Sequence, residues 1–163
     1  MGIKRATARV ILLDPDDRVL LFRFAPPEPF EEKVGWLTPG GGLDPGESLP
    51  DGAIRELFEE TGQRIDPTRL SPVVAVSSGQ WTSPEGVRYD ATDSSVLVRT
   101  TSTDVDISGH QEVERNALSG HRWWPLAELE RTPDRVFPLG LAALLSRLLA
   151  GDMPAEPVEL PWR

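Results

Sequence analysis

The chain contains short β-favouring runs separated by turns, and stretches in which apolar residues recur at helical spacing. Apolar and β-branched residues fill positions 7–13 and 18–24, and turn-forming residues occupy 14–17 between them, so two strands joined by a turn are predicted. Near the C-terminus, leucines at helical spacing predict an amphipathic helix packed on the core. They are Leu141, Leu144, Leu145 and Leu148.

Short β-favouring segments make up most of the remaining chain. They lie at residues 35–39, 72–76, 79–82, 87–89 and 94–100. A further strand and a short helix are predicted at residues 121–129, and residues 151–163 are expected to form an extended tail that can fold back or contact another subunit through Trp162. This order predicts the α/β class, with a mixed β-sheet covered by helices on both faces.

Length and charge limit the organisation and the partners. The 163 residues contain 39% hydrophobic amino acids and no internal repeat, which fits one domain spanning residues 1–163. The formal net charge is -9, so no nucleic-acid polymer is expected as the main partner, whereas small phosphorylated substrates fit if a divalent cation bridges the two anions. The N-terminal apolar run is too short for a signal peptide or a membrane span, so we expect a cytoplasmic protein that does not bind a membrane.

Residues 48–62 have the signals of a capped helix. Ser48 suits the N-cap, Pro50 the first turn and Gly62 a left-handed C-terminal position. At about 100° per residue, one face is apolar and is predicted to be buried. It consists of Ala53, Ile54, Leu57, Phe58 and Thr61. The opposite face carries Glu56, Glu59 and Glu60 at i, i+3, i+4 spacing.

Two interpretations fit this acidic face. A solvated surface is one, because like charges at i, i+4 destabilise an exposed helix by only about 0.2–0.5 kcal/mol per pair. A Mg²⁺ site is the other, since Arg55 lies one turn before Glu59 and Glu47 precedes the helix. Three glycines at residues 40–42 allow close approach of the backbone. Mg²⁺ binds a few carboxylate oxygens, keeps some waters and takes other ligands from substrate phosphates.

Seven identities at fixed spacing link the glycines to the helix. They are Gly41, Glu47, Arg55, Glu56, Glu59, Glu60 and Gly62, with apolar Leu57 among them. This pattern resembles the signature of the Nudix hydrolase family, and seven fixed identities arise by chance about once in 10⁸ starting points at background frequencies of about 7%. One position departs from the pattern. Gln63 stands where the family usually has an aliphatic residue, and Ile65 is the candidate to fill that space.

The resemblance implies a fold, a cofactor and a set of metal ligands. It implies the Nudix α/β/α sandwich, Mg²⁺ or alternatively Mn²⁺ as the cofactor, and a homodimer as a frequent assembly. Glu59 and Glu60 would be the principal metal ligands, and Glu56 a further or water-mediated one. The carbonyl of Gly40, which precedes the first glycine of the signature, would be a backbone ligand.

The resemblance also implies supporting residues and a reaction. Arg55 would orient Glu59, and Glu47 would support the helix start or join the metal shell. The reaction would be hydrolysis of a pyrophosphate bond in a nucleoside diphosphate linked to another moiety, because cations neutralise the charge that shields phosphorus from an activated water. The alternative is a Nudix-fold nucleotide-binding or regulatory module without catalysis. Oxidised nucleoside triphosphates, nucleotide sugars, ADP-ribose and dinucleoside polyphosphates are all open as substrates.

Candidates for contacting the substrate lie outside the signature. Arg23, at the end of the second predicted strand, is a candidate for a substrate phosphate, and an exposed strand arginine is the alternative. Trp81 and Tyr89 flank a predicted turn and are candidates for stacking on a base, with simple packing as the alternative.

The loop that follows the central strands is the expected location of a general base. By the resemblance, an extra glutamate there serves as general base or further metal ligand, and Glu114 is preferred over Glu112. An ordinary charged loop is the alternative for both. His110 and His121 are expected to have surface or packing roles, since neither lies in the signature.

Overall fold

Nine strands, three α-helices and one short 3-10 helix (Pro67–Arg69) are formed by the residues that the computed structural model describes, which are 2–24, 35–108 and 118–162. The strands are β1 (Ile3–Leu13), β2 (Val19–Phe24), β3 (Gly35–Leu37), β4 (Gly40–Gly42), β5 (Val73–Thr82), β6 (Arg88–Arg99), β7 (Leu118–Trp124), β8 (Arg135–Phe137) and β9 (Val158–Leu160). The helices are α1 (Leu49–Thr61), α2 (Leu126–Leu129) and α3 (Leu141–Leu149). Within these three ranges no helix is long and apolar enough to cross a membrane.

The strands form one mixed sheet with β1 near its centre. Their order is β8-β3-β2-β1-β6-β5-β9, while β4 pairs with β1 and β7 with β2. β1 runs parallel to β6 along its whole length, from the pair Ile3 and Tyr89 to the pair Leu13 and Arg99. The other edge of β1 pairs antiparallel with β4, where Arg9 lies opposite Gly40. The long central strand therefore carries the glycine strand on one edge.

Successive residues of β1 point to opposite faces of the sheet, and each face has its own core. Val10 and Leu12 belong to a cluster that includes Leu57 of α1. Ile11 and Leu13 belong to a second cluster, with the leucines of α3 and with Leu129 of α2. Because side chains alternate along a strand, α1 covers one face and α2 and α3 cover the other. The predicted mixed sheet with helices on both faces is confirmed.

Capping and turn residues fix where α1 begins and how the chain enters it. Ser48 accepts a hydrogen bond from the Asp51 N–H at 3.2 Å. Gly62 ends the helix with φ 75°, and its N–H donates to the Phe58 carbonyl. Just before the helix, Gly46 has φ 78° and the Glu47 N–H donates to the Asp44 carbonyl at 3.0 Å, as in a tight turn. The predicted caps are both present.

The second half of the sheet is more continuous than the apolar pattern predicts. The segments 72–76 and 79–82 are one strand, β5, because its pairing with β6 continues through Gly79 opposite Ala91. β8 and β9 were not predicted, since three residues are too few to show an alternation. β9 lies parallel to β5 at the sheet edge, and Ser77 Oγ donates to the Pro161 carbonyl at 3.1 Å. The C-terminal tail therefore folds back onto its own chain.

Candidate active site

β4 and α1 bring the glycines into contact with two glutamates. The Gly40 N–H donates to Glu60 Oε2 at 2.9 Å. A Cβ at Gly41 would lie 2.6 Å from the Glu56 carboxylate, so a glycine is what allows this carboxylate to approach the strand. Glu56 and Glu60 are each only 6% exposed. A glycine strand followed by a turn and a capped helix thus produces two buried carboxylates beside a backbone edge.

Arg55 lies among the acidic groups, donates hydrogen bonds to three of them and forms a longer ion pair with Asp44, at 3.4 Å. Its Nε and Nη2 donate to the two oxygens of Glu47 at 2.8 and 2.9 Å. Its Nη1 donates to Glu56 Oε1 at 3.1 Å and to Glu59 Oε1 at 3.3 Å. Nη2 also donates to the Gly42 carbonyl at 3.0 Å. One guanidinium therefore joins the loop before α1, the helix itself and β4.

The pair formed by Arg55 and Glu47 changes the titration of both groups. The hydrogen bonds from Arg55, followed by the bond from the Asp44 N–H, lower the pKa of Glu47 from 4.5 to about 2. In the other direction, the Glu47 carboxylate raises the pKa of Arg55. Glu47 is therefore ionised over the whole physiological range and holds the guanidinium beside α1.

The buried face of α1 differs from the predicted one. Phe58 is 41% exposed, with the Arg64 guanidinium 4.5 Å from its ring centroid, and Ile54 is only half-buried. Glu56 and Glu60, predicted on the opposite face, are buried. The physical reason is the glycine strand, because residues without side chains leave room for carboxylates between α1 and β4. The apolar pattern alone contains no information about that space.

The side chains around β4 and α1 fit a hard divalent cation in their chemistry. Every candidate ligand atom is an oxygen, and Glu59 and Glu60 lie one helical turn after Glu56 in α1. Among the residues that the structure describes, no three acidic or His side chains converge as a ready metal cage. Mg²⁺ needs only one or two carboxylates besides water and phosphate, so such a cage is not required. Glu56 and Glu60 are buried and already have partners, Arg55 Nη1 for Glu56 and the Gly40 N–H for Glu60, and a cation would add to this compensation of their charge.

The Gly40 carbonyl, predicted as a backbone ligand, has a partner that the sequence analysis missed. Arg9 Nη1 donates to the carbonyls of Gly40 and Thr38, at 3.3 Å in each case. One feature of the sequence could have pointed to Arg9, because it is the single charged residue in the run at 7–13. Gly40 thus contacts a carboxylate through its N–H and a guanidinium through its carbonyl.

The other predicted site residues lie apart from this cluster or outside the described residues. Arg23 lies on β2, opposite Trp36 of β3 and Gly120 of β7, whereas the glycine strand pairs with β1. His121 is exposed on β7, and its ring packs edge-on against Phe22 with centroids 6.2 Å apart. The predictions for Glu114, Glu112 and His110 fall outside the described residues. The phosphate-binding role of Arg23 stays a prediction.

Trp81 and Tyr89 stack on each other across β5 and β6. Their ring centroids lie 4.7 Å apart with 19° between the planes. The Arg5 guanidinium lies 5.7 Å from the Trp81 ring and 5.9 Å from the Tyr89 ring, within cation–π range. One face of each ring is therefore already in contact within the protein. Stacking of Trp81 on a substrate base stays a prediction.

Gln63, the irregular position of the signature, forms three hydrogen bonds with one segment. Its Nε2 donates to the carbonyls of Ser102 and Asp104 at 2.9 and 3.2 Å, and its Oε1 accepts from Thr100 Oγ1 at 2.6 Å. Ile65 is 7% exposed and belongs to the core beneath α1, as expected of the residue that replaces an aliphatic side chain. Gln63 therefore has hydrogen-bond partners in residues 100–104 that an aliphatic side chain could not use.

The chain is similar in sequence to curated hydrolases and in fold to several solved structures. An RNA pyrophosphohydrolase of Erythrobacter litoralis is 34% identical over 114 residues, which are 59% of this chain and 62% of that protein. This chain spans less than two thirds of the length of the curated relatives it matches. Among solved structures, a MutT protein from Methanosarcina mazei Go1 matches with a TM-score of 0.61 and 18% identity, covering 93% of this chain and 96% of that one.

A second solved structure shows the same fold, and a family model identifies the family. The NUDIX domain of Shewanella oneidensis NrtR, solved in complex with ADP ribose, matches with a TM-score of 0.61 and 21% identity, covering 91% of this chain and 90% of that one. At these identities the two structures establish the fold. The family model of the NUDIX domain matches residues 3–145. The chain therefore belongs to the Nudix family.

Proposed function

We propose that the chain is a Mg²⁺-dependent hydrolase that cleaves a pyrophosphate bond in a nucleoside diphosphate linked to another moiety. The observation that carries the proposal is the burial of Glu56 and Glu60 against the glycine strand, with Arg55 between Glu47 and Glu59. Ionised carboxylates at this depth need compensating positive charge or hydrogen bonds, to which Arg55 and the Gly40 N–H contribute and a bound cation would add. Membership of the Nudix family and a relative named RNA pyrophosphohydrolase support the same reaction class.

Each residue of the cluster has a distinct task in this proposal. Glu59 and Glu60 hold the cation, Glu56 contributes a further or water-mediated contact, and the Gly40 carbonyl completes the protein ligands. When bound, Mg²⁺, or Mn²⁺ in its place, neutralises the diphosphate and lowers the pKa of a bound water. The Gly40 N–H donates to Glu60 Oε2 and so fixes the orientation of this carboxylate.

Arg55 positions the carboxylates and does not touch the substrate in this proposal. Its bidentate contact with Glu47 anchors the guanidinium, and its remaining nitrogen, Nη1, reaches Glu56 and Glu59. A guanidinium held in this way restricts the rotamers of the two glutamates, as outer partners of metal ligands commonly do. It also offsets part of their mutual repulsion.

The second candidate is a nucleotide-binding or regulatory module of the same fold without catalysis. All seven signature identities are present, and a module without catalysis would be expected to lack some of the carboxylates, so the hydrolase is favoured. The two candidates differ in a measurable way. A binding module would bind a nucleotide derivative and release it unchanged, whereas a hydrolase would release two products.

A Mg²⁺-dependent screen tests the proposal directly. The panel contains an oxidised nucleoside triphosphate, a nucleotide sugar, ADP-ribose, a dinucleoside polyphosphate and a short 5′-triphosphorylated RNA. Products formed in ¹⁸O-labelled water are identified by mass spectrometry, which reveals the phosphorus that was attacked. Cleavage of one of these compounds at a phosphoanhydride bond, dependent on Mg²⁺ or Mn²⁺, is expected.

Variants link that activity to the cluster. Glu59→Gln and Glu60→Gln should each lower kcat by more than about 100-fold while the melting temperature without metal stays near that of the parent. Glu85→Gln, in the exposed turn between β5 and β6, removes the same charge far from α1 and serves as the control. Full activity of both variants on the best substrate would show that the cluster is not the catalytic centre.

A further inference from the structure

Arg9 is a charged residue in the middle of a buried strand, directly beside the candidate active site. On one edge of β1 it lies opposite Gly40 of β4, and on the other it lies opposite Ser95 of β6. Its strand neighbours Ala8 and Val10 are fully buried. The Arg9 side chain itself is only 22% exposed, so its guanidinium has lost much of its hydration.

The contacts of this guanidinium within the described residues are long, and two of its acceptors are neutral. Nη1 lies 3.3 Å from the carbonyl oxygens of Thr38 and Gly40, and Nε lies 3.9 Å from Asp93 Oδ2. Other arginines of the chain have much closer carboxylates. The Arg18 and Arg99 guanidinium groups lie 2.7 Å from Asp14 and Asp17.

These contacts leave Arg9 with unused capacity for an anion. A guanidinium has five N–H donors, and charge-assisted bonds to anionic oxygens are normally shorter than 3.0 Å. Contacts at 3.3 Å are at the weak end of the hydrogen-bond range. The planar fork of arginine matches the spacing of two phosphate oxygens, which would replace the weak contacts with strong ones.

The location of Arg9 identifies which anion this would be. Gly40 donates its N–H to Glu60, which holds the cation in the proposed function, and accepts Arg9 at its carbonyl. Arg9 and Glu60 are therefore both hydrogen-bonded to Gly40, Arg9 at its carbonyl and Glu60 at its N–H. A diphosphate bound through the cation would lie within reach of this guanidinium.

We propose that Arg9 binds a phosphate group of the substrate, and that the carbonyls of Thr38 and Gly40 hold the guanidinium in place before the substrate arrives. The proposal rests on the proposed function, since it assigns a contact to the same diphosphate. Asp93, at 3.9 Å, keeps the guanidinium near the strand without neutralising it fully. The bond to Gly40 is given up when the phosphate binds.

Binding of methylenediphosphonate, a diphosphate with CH₂ in place of the bridging oxygen, tests the proposal without turnover. Titration calorimetry at saturating Mg²⁺ compares the parent protein with Arg9→Met, Arg9→Lys and the control Arg99→Met, in which an exposed arginine at the end of β6 is removed. Arg9→Met should weaken binding by about 10- to 100-fold, the loss expected from one hydrogen bond to a charged group. Arg9→Lys, which keeps the charge but not the fork, should lose less, and Arg99→Met should stay within about twofold.

Mg²⁺ affinity measured in the absence of the diphosphonate separates this role from a structural one. If Arg9 binds phosphate, Arg9→Met keeps the Mg²⁺ affinity of the parent or binds the cation more tightly. If Arg9 only holds β4 in place, Mg²⁺ and diphosphonate affinities fall together, and the proposal is wrong. It is also wrong if Arg9→Met binds the diphosphonate as the parent does. Should Arg9→Met fail to fold, the same two titrations on Arg9→Lys decide between these outcomes.

The two proposals fail in different ways. A parent protein that cleaves a nucleotide derivative while Arg9→Met binds diphosphonate normally overturns the role of Arg9 alone. A parent protein that neither cleaves any member of the panel nor binds diphosphonate with Mg²⁺ overturns the hydrolase and the role of Arg9 together.

Discussion

Arg55 binds Glu47, eight residues earlier in the chain, more closely than it binds Glu59, one helical turn later. The distances are 2.8 and 2.9 Å to the two oxygens of Glu47, against 3.3 and 3.4 Å to those of Glu59. Bidentate pairs of this kind are geometrically specific as well as strong. The loop before α1 is therefore held against the middle of the helix, and Glu59 has the weaker contact with Arg55.

The first prediction concerns the acid stability that this pair creates. Hydrogen bonds from Arg55 and Asp44 lower the pKa of folded Glu47 to about 2, below the ordinary value of 4.5. The stabilisation is therefore fully present above about pH 4.5 and is lost as the pH falls toward 2. In Glu47→Gln, the free energy of unfolding should depend less steeply on pH between these limits than in the parent. Urea unfolding at a series of pH values measures the difference.

Glu85→Gln provides the comparison for a simple loss of one negative charge, because Glu85 lies in the exposed turn between β5 and β6. It should retain the pH dependence of the parent. Identical slopes for Glu47→Gln and the parent between pH 4.5 and 2 would contradict the assigned role of the pair.

The second prediction uses the contact between Gly41 and Glu56. In Gly41→Ala the new Cβ would lie 2.6 Å from the Glu56 carboxylate, so that side chain must move away from the strand and from Arg55. The end of the Glu56 side chain is flexible and can shift at little cost, so the melting temperature of Gly41→Ala should change only slightly. Mg²⁺ affinity, measured by calorimetry, should fall by about 10-fold if Glu56 contributes to the cation site.

Gly42→Ala is the matched control on the same strand. Its Cβ would meet the Arg5 side chain at 3.5 Å, which is an ordinary van der Waals contact. Equal Mg²⁺ affinities in Gly41→Ala and Gly42→Ala would argue that the position of Glu56 does not matter for the cation.

The third prediction concerns Gln63. Leucine at this position resembles the usual family residue but removes three hydrogen bonds, including that of the Thr100 hydroxyl, whose residue is 7% exposed. The Thr100 hydroxyl would still accept from the Ser102 N–H but would lose its acceptor, and loss of one partner of a buried polar group costs about 1–3 kcal/mol. Gln63→Leu should therefore lower the free energy of unfolding by about that amount in urea titrations.

Gln80→Leu controls for the loss of an amide side chain, since the Gln80 side chain is exposed on β5 and, among the described residues, hydrogen-bonds only to the exposed Arg88. It should change stability by less than about 0.5 kcal/mol. If Gln63→Leu proves as stable as Gln80→Leu, the three hydrogen bonds are not an important tie between α1 and the segment after β6.

The fourth prediction concerns the folded-back C-terminus. A Cβ on Gly79 would overlap the indole ring of Trp162, so Gly79→Val should displace the last residues and weaken β9. Hydrogen exchange of the β9 amides should then be faster than in the parent. Ser78→Val, one residue earlier and exposed on the other face of β5, should leave the exchange unchanged. Slow exchange in Gly79→Val would show that Trp162 does not hold the tail.

Local patterns were sufficient for the parts of the fold that depend on neighbouring residues. Ser48 and Gly62 identified the ends of α1, and the fixed spacing from Gly41 to Gly62 identified the family. What the patterns missed depends on contacts between distant segments. Phe58 was predicted to be buried because it follows the helical repeat, but the space beside α1 is filled by carboxylates that fit only against glycines. The position of Arg9 beside Gly40 depends on the pairing of β1 with β4, which no local pattern contains.

The parallel pairing of β1 with β6 has a consequence for how the protein folds. Ile3 pairs with Tyr89, so most of the chain, including β4 and α1, lies in the loop that this pairing closes. Closing a long loop costs chain entropy before the contacts compensate, and folds rich in such contacts form slowly. β1 also supplies Arg9 and the partner edge for the glycine strand. We therefore expect the proposed cation site and the proposed phosphate contact to form late in folding, which would make ligand binding a sensitive reporter of complete folding.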